Sequence, residues 1–171
     1  MSDDEVRQFQ EYAAARLVPL RRLAYLMCGN WHLAEDITST VLTKLFETWR
    51  RARLVENLDA YVRRMLVRAV IDETRRPWRR ERPAQYPLDT VSQSPDDGVV
   101  DRMVLREALA RMPARRRAVL ILRFVEALSV EETAVAMGCS TGTVKSQTAR
   151  GLATMRELLS AEHASRGRSP G

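Results

Sequence analysis

The chain has 171 residues, is 45% hydrophobic and carries 28 Lys and Arg against 22 Asp and Glu, a formal net charge of +6. That is enough for one or two small domains with their own cores, and the basic excess favours a polyanionic partner over an acidic small molecule. Scarce aromatics at 6%, only seven prolines and seven glycines, and an abundance of Ala, Leu, Arg, Val and Glu predict an all-α fold.

Two cysteines, Cys28 and Cys139, and two histidines, His32 and His163, do not have the spacing of a zinc site, so neither metal nor cofactor is expected. Both cysteines read as buried small apolar residues in a reducing compartment. The N-terminal MSDDEVRQF is acidic and lacks the apolar centre of a signal peptide, and no apolar run reaches membrane-spanning length. A cytoplasmic protein without membrane insertion is expected.

The charge is uneven along the chain. Residues 1–49 sum to −2, residues 50–82 to +6 and residues 83–171 to +2. Nearly all the cations are Arg, with Lys44 and Lys145 the only lysines, and Arg suits bidentate contacts to phosphate and base edges.

In chain order, Val6, Phe9, Ala13, Leu17 and Leu20 recur at helical spacing, with Pro19 predicting a break and a second helix from there to a stop at Gly29. From His32 to Arg51, Leu33, Ile37, Val41 and Leu45 mark a long amphipathic helix, with Phe46 or Trp49 next in line. Its outer face offers Glu35, Asp36, Ser39, Thr40, Thr43, Lys44 and Glu47 to a partner. Asn57 caps a helix expected over 58–76, in which Tyr61, Met65, Ala69 and Asp72 lie along one line. Arg63, Arg64, Arg68, Arg75 and Arg76 on it cannot all be buried, because an unpaired buried guanidinium is too costly. Tyr61 reads equally well as a stacking aromatic or as core. Residues 77–100 contain four prolines with Ser, Gln and Asp, show no helical period and read as an extended linker.

A second domain opens with a helix over about 100–111, carrying Met103, Val104, Ala108 and Met112 inward. Pro113 suits the first turn of the next helix, whose apolar cluster is Val119, Leu120, Leu122 and Phe124. Arg115, Arg116 and Arg117 stand at its start, unfavourable against the helix dipole without a nearby acid or phosphate. Ser129 with Glu132 forms a capping box, Gly138 ends that short helix, and Ser140 caps another. This is the spacing of a helix-turn-helix. On its second helix Val144, Leu152 and Met155 face inward, while Thr141, Thr143, Lys145, Ser146, Gln147 and Arg150 cover the outside. No acidic residue lies between Ser140 and Arg156, so this helix can enter a major groove without setting a carboxylate against phosphate. The tail 161–171 lacks core-forming residues and is expected to be disordered.

Taken together, these stretches resemble sigma factors of the bacterial sigma-70 family, in the extracytoplasmic-function (ECF) group. LARMPARRRAVLILRFVEALSVEETAVAMGCSTGTVKSQTARGLATMR looks like region four, LRRLAYLMCGNWHLAEDITSTVLTKLF like the polymerase-binding part of region two, and LDAYVRRMLVRAVIDETRR like its −10-reading part. The resemblance implies a region-two-like domain over 1–76, a linker over 77–100 and a region-four-like domain over 101–160. It also implies a non-enzymatic initiation subunit whose partners are core RNA polymerase, promoter DNA and an anti-sigma factor; a monomer is expected when free.

By the same likeness Glu35, Asp36, Ser39, Thr40, Thr43 and Phe46 would dock on polymerase. Tyr61, Arg63, Arg64, Arg68, Asp72, Arg75 and Arg76 would take the opened −10 strand. Arg123, Ser140, Thr141, Thr143, Lys145, Ser146, Gln147 and Arg150 would bind the −35 duplex, with Arg123 and Arg150 on phosphates and Lys145, Ser146 and Gln147 nearer base edges. Two departures stand out: Ser39 and Thr40 replace a Gln and an acid common in the group, and Arg68 replaces a common Asn. An autonomous helix-turn-helix regulator and a basic helical adaptor are the other classes open to the sequence. A 24-residue tether leaves the spacing of two DNA readers undefined until a third body fixes it. An autonomous regulator would more often dimerise to set that spacing, and no heptad pattern is present.

Overall fold

A computed structural model describes residues 1–76 and 98–167, and these residues contain helices and no strand. The first helix, α1, spans Asp3–Cys28. Ser2 and Glu5 form a capping box at its start, and Gly29, at φ 73°, closes its end by donating its N–H to the Tyr25 carbonyl at 2.8 Å. The break expected at Pro19 does not occur. The ring forfeits one backbone hydrogen bond, but Ala15 through Pro19 are exposed, so the released carbonyl meets water. Burial of Leu20, Leu23, Ala24, Tyr25 and Met27 just beyond it holds the helix on course.

Helix α2, Trp31–Ala52, is capped by Asn30, whose side chain accepts from the Leu33 N–H at 3.0 Å. It buries Leu33, Ile37, Val41, Leu45 and Trp49, one residue per turn against α1. Phe9 meets the Trp49 ring edge-on at 5.4 Å. Helix α3, Leu58–Thr74, starts at its expected Asn57 cap and is pinned to α1, where the Tyr12 hydroxyl donates to Asp59 at 2.9 Å. Burial and then the Asp59 carboxylate push the Tyr12 phenol well above its ordinary range.

In the second half, α4 spans Gly98–Ala110, α5 Ala114–Leu120, α6 Val130–Met137 and α7 Thr141–Arg166. Of the linker expected over 77–100, residues 77–97 lie outside the described residues, and 98–100 belong instead to α4. Val104, Ala108 and Met112 are buried as expected; Met103 is exposed. Helix α5 runs on into a π turn over Ile121–Val125, in which the Glu126 N–H donates to the Ile121 carbonyl at 3.0 Å. The wider turn shifts the register after Leu122, so Phe124, expected in the core, is 58% exposed together with Val125. Helix α7 continues past the expected end of the domain: residues 161–166 are helical, because nothing between Ala161 and Arg166 interrupts a helix before Gly167. Residues 168–171 of the expected tail lie outside the described residues.

The two halves share one apolar core. Residues of α1, α2 and α3 join Ala118, Val119, Ile121, Leu122, Leu128, Ala134, Met137 and Val144 in a continuous buried cluster. The physical reason is that α3 has more apolar surface than α1 and α2 cover: Val62, Leu66, Val67, Val70 and Ile71 sweep about half its circumference. Helices α5 and α6 take the remainder. A second, smaller cluster, Leu109, Met112 and Leu120 with Leu152 and Met155, seats α7 on α4 and α5. Of the cysteines, Cys28 is buried as expected, while Cys139 is half-buried.

Candidate nucleic-acid interface

The helix-turn-helix is built as its residue types dictate. Ser129 accepts from the Glu132 N–H at 3.0 Å while the Glu132 carboxylate accepts from the Ser129 N–H at 2.7 Å, starting α6. Those bonds, the Ser129 backbone N–H foremost, hold the Glu132 carboxyl below its ordinary value. Gly138, at φ 63°, ends α6 in the left-handed region, and the Ser140 hydroxyl accepts from the Thr143 N–H at 3.1 Å to start α7. Val144 is fully buried beneath α7, and Gly151 lies so close to α5 that a Cβ there would stand 2.9 Å from Leu120 Cγ.

This seating turns Thr141, Lys145, Ser146 and Arg150 outward and leaves Thr143 and Gln147 half-buried. Lys145 and Arg150 make no ion pair or side-chain hydrogen bond among the described residues. The hydroxyls of Ser140 and Thr143 lie 3.0 Å apart, and the Ser146 hydroxyl donates to the Thr143 carbonyl at 3.1 Å. Arg116, to which the sequence pattern gave no such role, donates to Gln147 Oε1 at 3.4 Å and to the Thr154 hydroxyl at 3.3 Å. That contact occupies the Gln147 carbonyl oxygen and leaves its NH₂ without a hydrogen bond among the described residues. Arg123 is half-buried; its guanidinium donates to the Leu128 carbonyl and lies 5.9 Å from the Phe124 ring centre. It is thus tied into the π turn rather than projecting alone. Arg117 is buried and donates to the Met112 carbonyl at 3.5 Å.

On α3 the structure brings five of the seven expected residues together. Tyr61, Arg64, Arg68, Asp72 and Arg75 follow one another at steps of three and four and form one exposed face. Tyr61 is 37% exposed, so it is a surface aromatic rather than core. Arg63 points elsewhere, toward the second half of the chain, where its Nε lies 4.0 Å from Glu126. Arg76 lies beyond the helix end and pairs with Glu73 at 3.1 Å. Helical spacing already sets Arg63 off the stripe, one residue from Arg64 and two from Tyr61, whereas Arg76, four residues after Asp72, falls on the same line and is not separable from it by sequence.

The third surface is the outer side of α2, where Glu35, Asp36, Ser39, Thr40 and Thr43 are all exposed. Glu35 pairs with Arg21 at 3.3 Å, and Phe46, 41% exposed, packs edge-on against Phe9 at 4.9 Å. No cluster of metal-ligating side chains occurs among the described residues, and no helix there is long and apolar enough to cross a membrane.

The chain is similar to known proteins over both of its halves. A Sigma-70 region 2 model matches residues 14–80 and a Sigma-70, region 4 model matches residues 102–155. The chain belongs to the sigma-70 family. Within it the likeness is to the ECF group. This sigma factor is 35% identical to the RNA polymerase sigma-E factor of Streptomyces coelicolor, over 91% of its own length and 88% of that protein's. It is 31% identical to the ECF RNA polymerase sigma factor SigE of Mycolicibacterium smegmatis, over 84% of its length and 58% of that protein's. Among solved structures, the sigma factor RpoE of Bartonella quintana, in complex with the anti-sigma factor NepR, shares its fold. The TM-score is 0.68 at 24% identity, over 90% of this chain and 98% of that one.

Proposed function

We propose that this sigma factor docks on core RNA polymerase through the outer face of α2, reads a −35 element with α7, and captures the opened −10 strand on the α3 stripe, so assisting promoter melting. On this reading residues 1–76 carry the first and last roles, residues 101–160 carry the second, and 77–100 join them. The observation that supports it most is the outer face of α7: a capped reading helix with unpaired Lys145 and Arg150 and no carboxylate before Glu157.

The chemistry divides between the two DNA faces. Lys145, Ser146 and the Gln147 amide have donors suited to base edges of intact duplex, while exposed Arg150 suits a phosphate; Arg123, held by the Leu128 carbonyl, would reach one only by giving up that bond. Exposed Tyr61 beside Arg64 and Arg68 offers a ring for an unstacked base together with charge for its backbone, which favours single strands. Polymerase supplies the bond-making chemistry. An anti-sigma partner is part of the proposal, by analogy with the Bartonella protein.

Run-off transcription with purified core polymerase tests it. Initiation should depend on adding this chain, and Lys145→Ala or Gln147→Ala should cost about 1–3 kcal/mol and relax selectivity at −35. Arg150→Ala should weaken binding to all sequences alike and lower the salt slope by about 1. Full-strength promoter binding without polymerase would instead make the chain an autonomous regulator, and binding indifferent to DNA and salt would make it an adaptor.

A further inference from the structure

Where α3 meets the second half of the chain there is a cleft of about 320 Å³, lined by Arg64, Arg68, Asp72 and Arg75 of α3, by Arg115 of α5 and by Ala136 to Gly138 at the end of α6. Four guanidiniums face one carboxylate, a local charge of +3. None of the four arginines makes an ion pair or side-chain hydrogen bond among the described residues, although seven other arginines of those residues do pair with acids. Like charges gathered around a concavity focus a positive potential there. Ile71, Ala136 and Met137 add apolar surface to a lining that is otherwise polar.

The geometry points to a binding site for a small molecule carrying two or more linked phosphates, a nucleoside polyphosphate being the class that fits both the cations and the apolar part of the lining. Arginine forks match phosphate oxygens bidentately. A single phosphate brings about −1.5 to −2, too little to balance the cleft, whereas two linked phosphates balance it. The volume is at the lower end of the range for small-molecule pockets, about 300–1,000 Å³.

Arg115 distinguishes this ligand from a nucleic-acid strand. A strand following α3 meets Tyr61, Arg64, Arg68 and Arg75 and has no need of Arg115, which lines the cleft from α5 in the other half of the chain. A compact polyphosphate reaches both helices at once and so fastens the two halves of the chain in the packing described above. The inference goes beyond the proposed function; the cleft shares Arg64, Arg68 and Arg75 with the proposed −10 face, so the oligonucleotide arm of the test rests on that reading while the pyrophosphate and sulfate arm does not.

Titration calorimetry on the full chain with sodium pyrophosphate, against sodium sulfate at matched ionic strength, is the test. Pyrophosphate should bind at least about tenfold tighter than sulfate and raise the melting temperature. Arg115→Ala should weaken pyrophosphate by about tenfold or more, the loss of a charge-assisted contact, while its affinity for a single-stranded −10 oligonucleotide, read by fluorescence anisotropy, stays within about twofold. Arg68→Ala should weaken both, and Arg115→Lys should recover pyrophosphate binding only in part. Arg115 is half-buried at the surface of a short helix, and an unchanged unfolding midpoint without ligand confirms that each variant is folded. Equal affinity for pyrophosphate and sulfate, an Arg115→Ala chain that still binds pyrophosphate as wild type, or equal losses for pyrophosphate and oligonucleotide would each overturn the assignment. Arg115→Ala should support run-off transcription as wild type does, so failure here and failure of the promoter-reading role are read separately.

Discussion

The contact that seats the reading helix makes a prediction whose sign opposes simple helix propensity. Gly151 lies inside α7, where Ala is ordinarily more favourable by about 0.8–1.0 kcal/mol. Its Cβ, however, would stand 2.9 Å from Leu120 Cδ1 and Cγ and 3.0 Å from Cδ2, and Leu120 is itself buried. Carbon contacts relax at about 3.5–4.0 Å, so Leu120 or the helix must yield by over half an ångström, and overpacking of this kind costs about 1–3 kcal/mol. Gly151→Ala should therefore be net destabilising by about 0–2 kcal/mol. Gly142 is the internal control: it is exposed in the first turn of the same helix, and its nearest neighbour is the Ser140 hydroxyl at 3.8 Å. Gly142→Ala should stabilise by about 0.4–1 kcal/mol. Urea unfolding of the wild type and both variants at constant m reads the two signs. A Gly151→Ala chain as stabilised as Gly142→Ala would refute the close packing of α7 on α5.

Four further outcomes follow from the same geometry. Ser129→Ala removes one half of the capping box that starts α6 and should cost about 1 kcal/mol in the same denaturation assay. The Glu5 carboxyl is held below its ordinary value of 4.5 chiefly by the Ser2 backbone N–H, with Arg50 and Arg53 adding to it and burial opposing. Its contribution is therefore present above that value and lost as pH falls through the lower folded value, so the gap in thermal midpoint between wild type and Glu5→Gln should be open at pH 7 and narrow below about pH 4.5. Arg68→Asn should alter the preferred −10 sequence in a randomised-promoter transcription assay, and identical selectivity would remove Arg68 from the base-reading set. Ser39→Gln combined with Thr40→Glu should tighten binding to core polymerase in a competition assay, with no change expected in the binding of free −35 duplex.

Much of the local architecture was legible because helix ends carry their own chemistry. Asn57, Ser129 and Ser140 read as caps, and Gly29 and Gly138 as stops, since each satisfies orphan backbone groups or accepts positive φ where few residues can. The helix passes through Pro19 because burial of Leu20, Leu23 and Ala24 just beyond it outweighs the one backbone hydrogen bond the ring forfeits, a balance that no local pattern displays. The π turn over Ile121–Val125 was invisible, since one extra residue per turn alters burial without altering composition, and it moved Phe124 from core to surface. At the interface, helical spacing identified the α3 stripe and the outer face of α7, but the diversion of Arg63 to Glu126 and the hold of Arg116 on Gln147 depend on pairs 63 and 31 residues apart. Such pairings arise from the shared core of the two halves, and the expected independence of those halves concealed that core. Assignment of roles to the three faces came from resemblance to a family; periodicity and charge alone left a regulator and an adaptor open.

The central claim is that the two DNA-reading faces, packed on one shared core in the free chain, engage both promoter elements together only when polymerase holds them at the separation the promoter requires. The direct measurement is a series of promoters in which the −35 to −10 separation changes one base pair at a time, assayed for transcription with core polymerase and for binding by the chain alone. A sharp optimum with polymerase, together with weak binding by the free chain that does not vary along the series, is the result this mechanism requires. Binding by the free chain as tight as the polymerase complex and peaking at the same separation would contradict it.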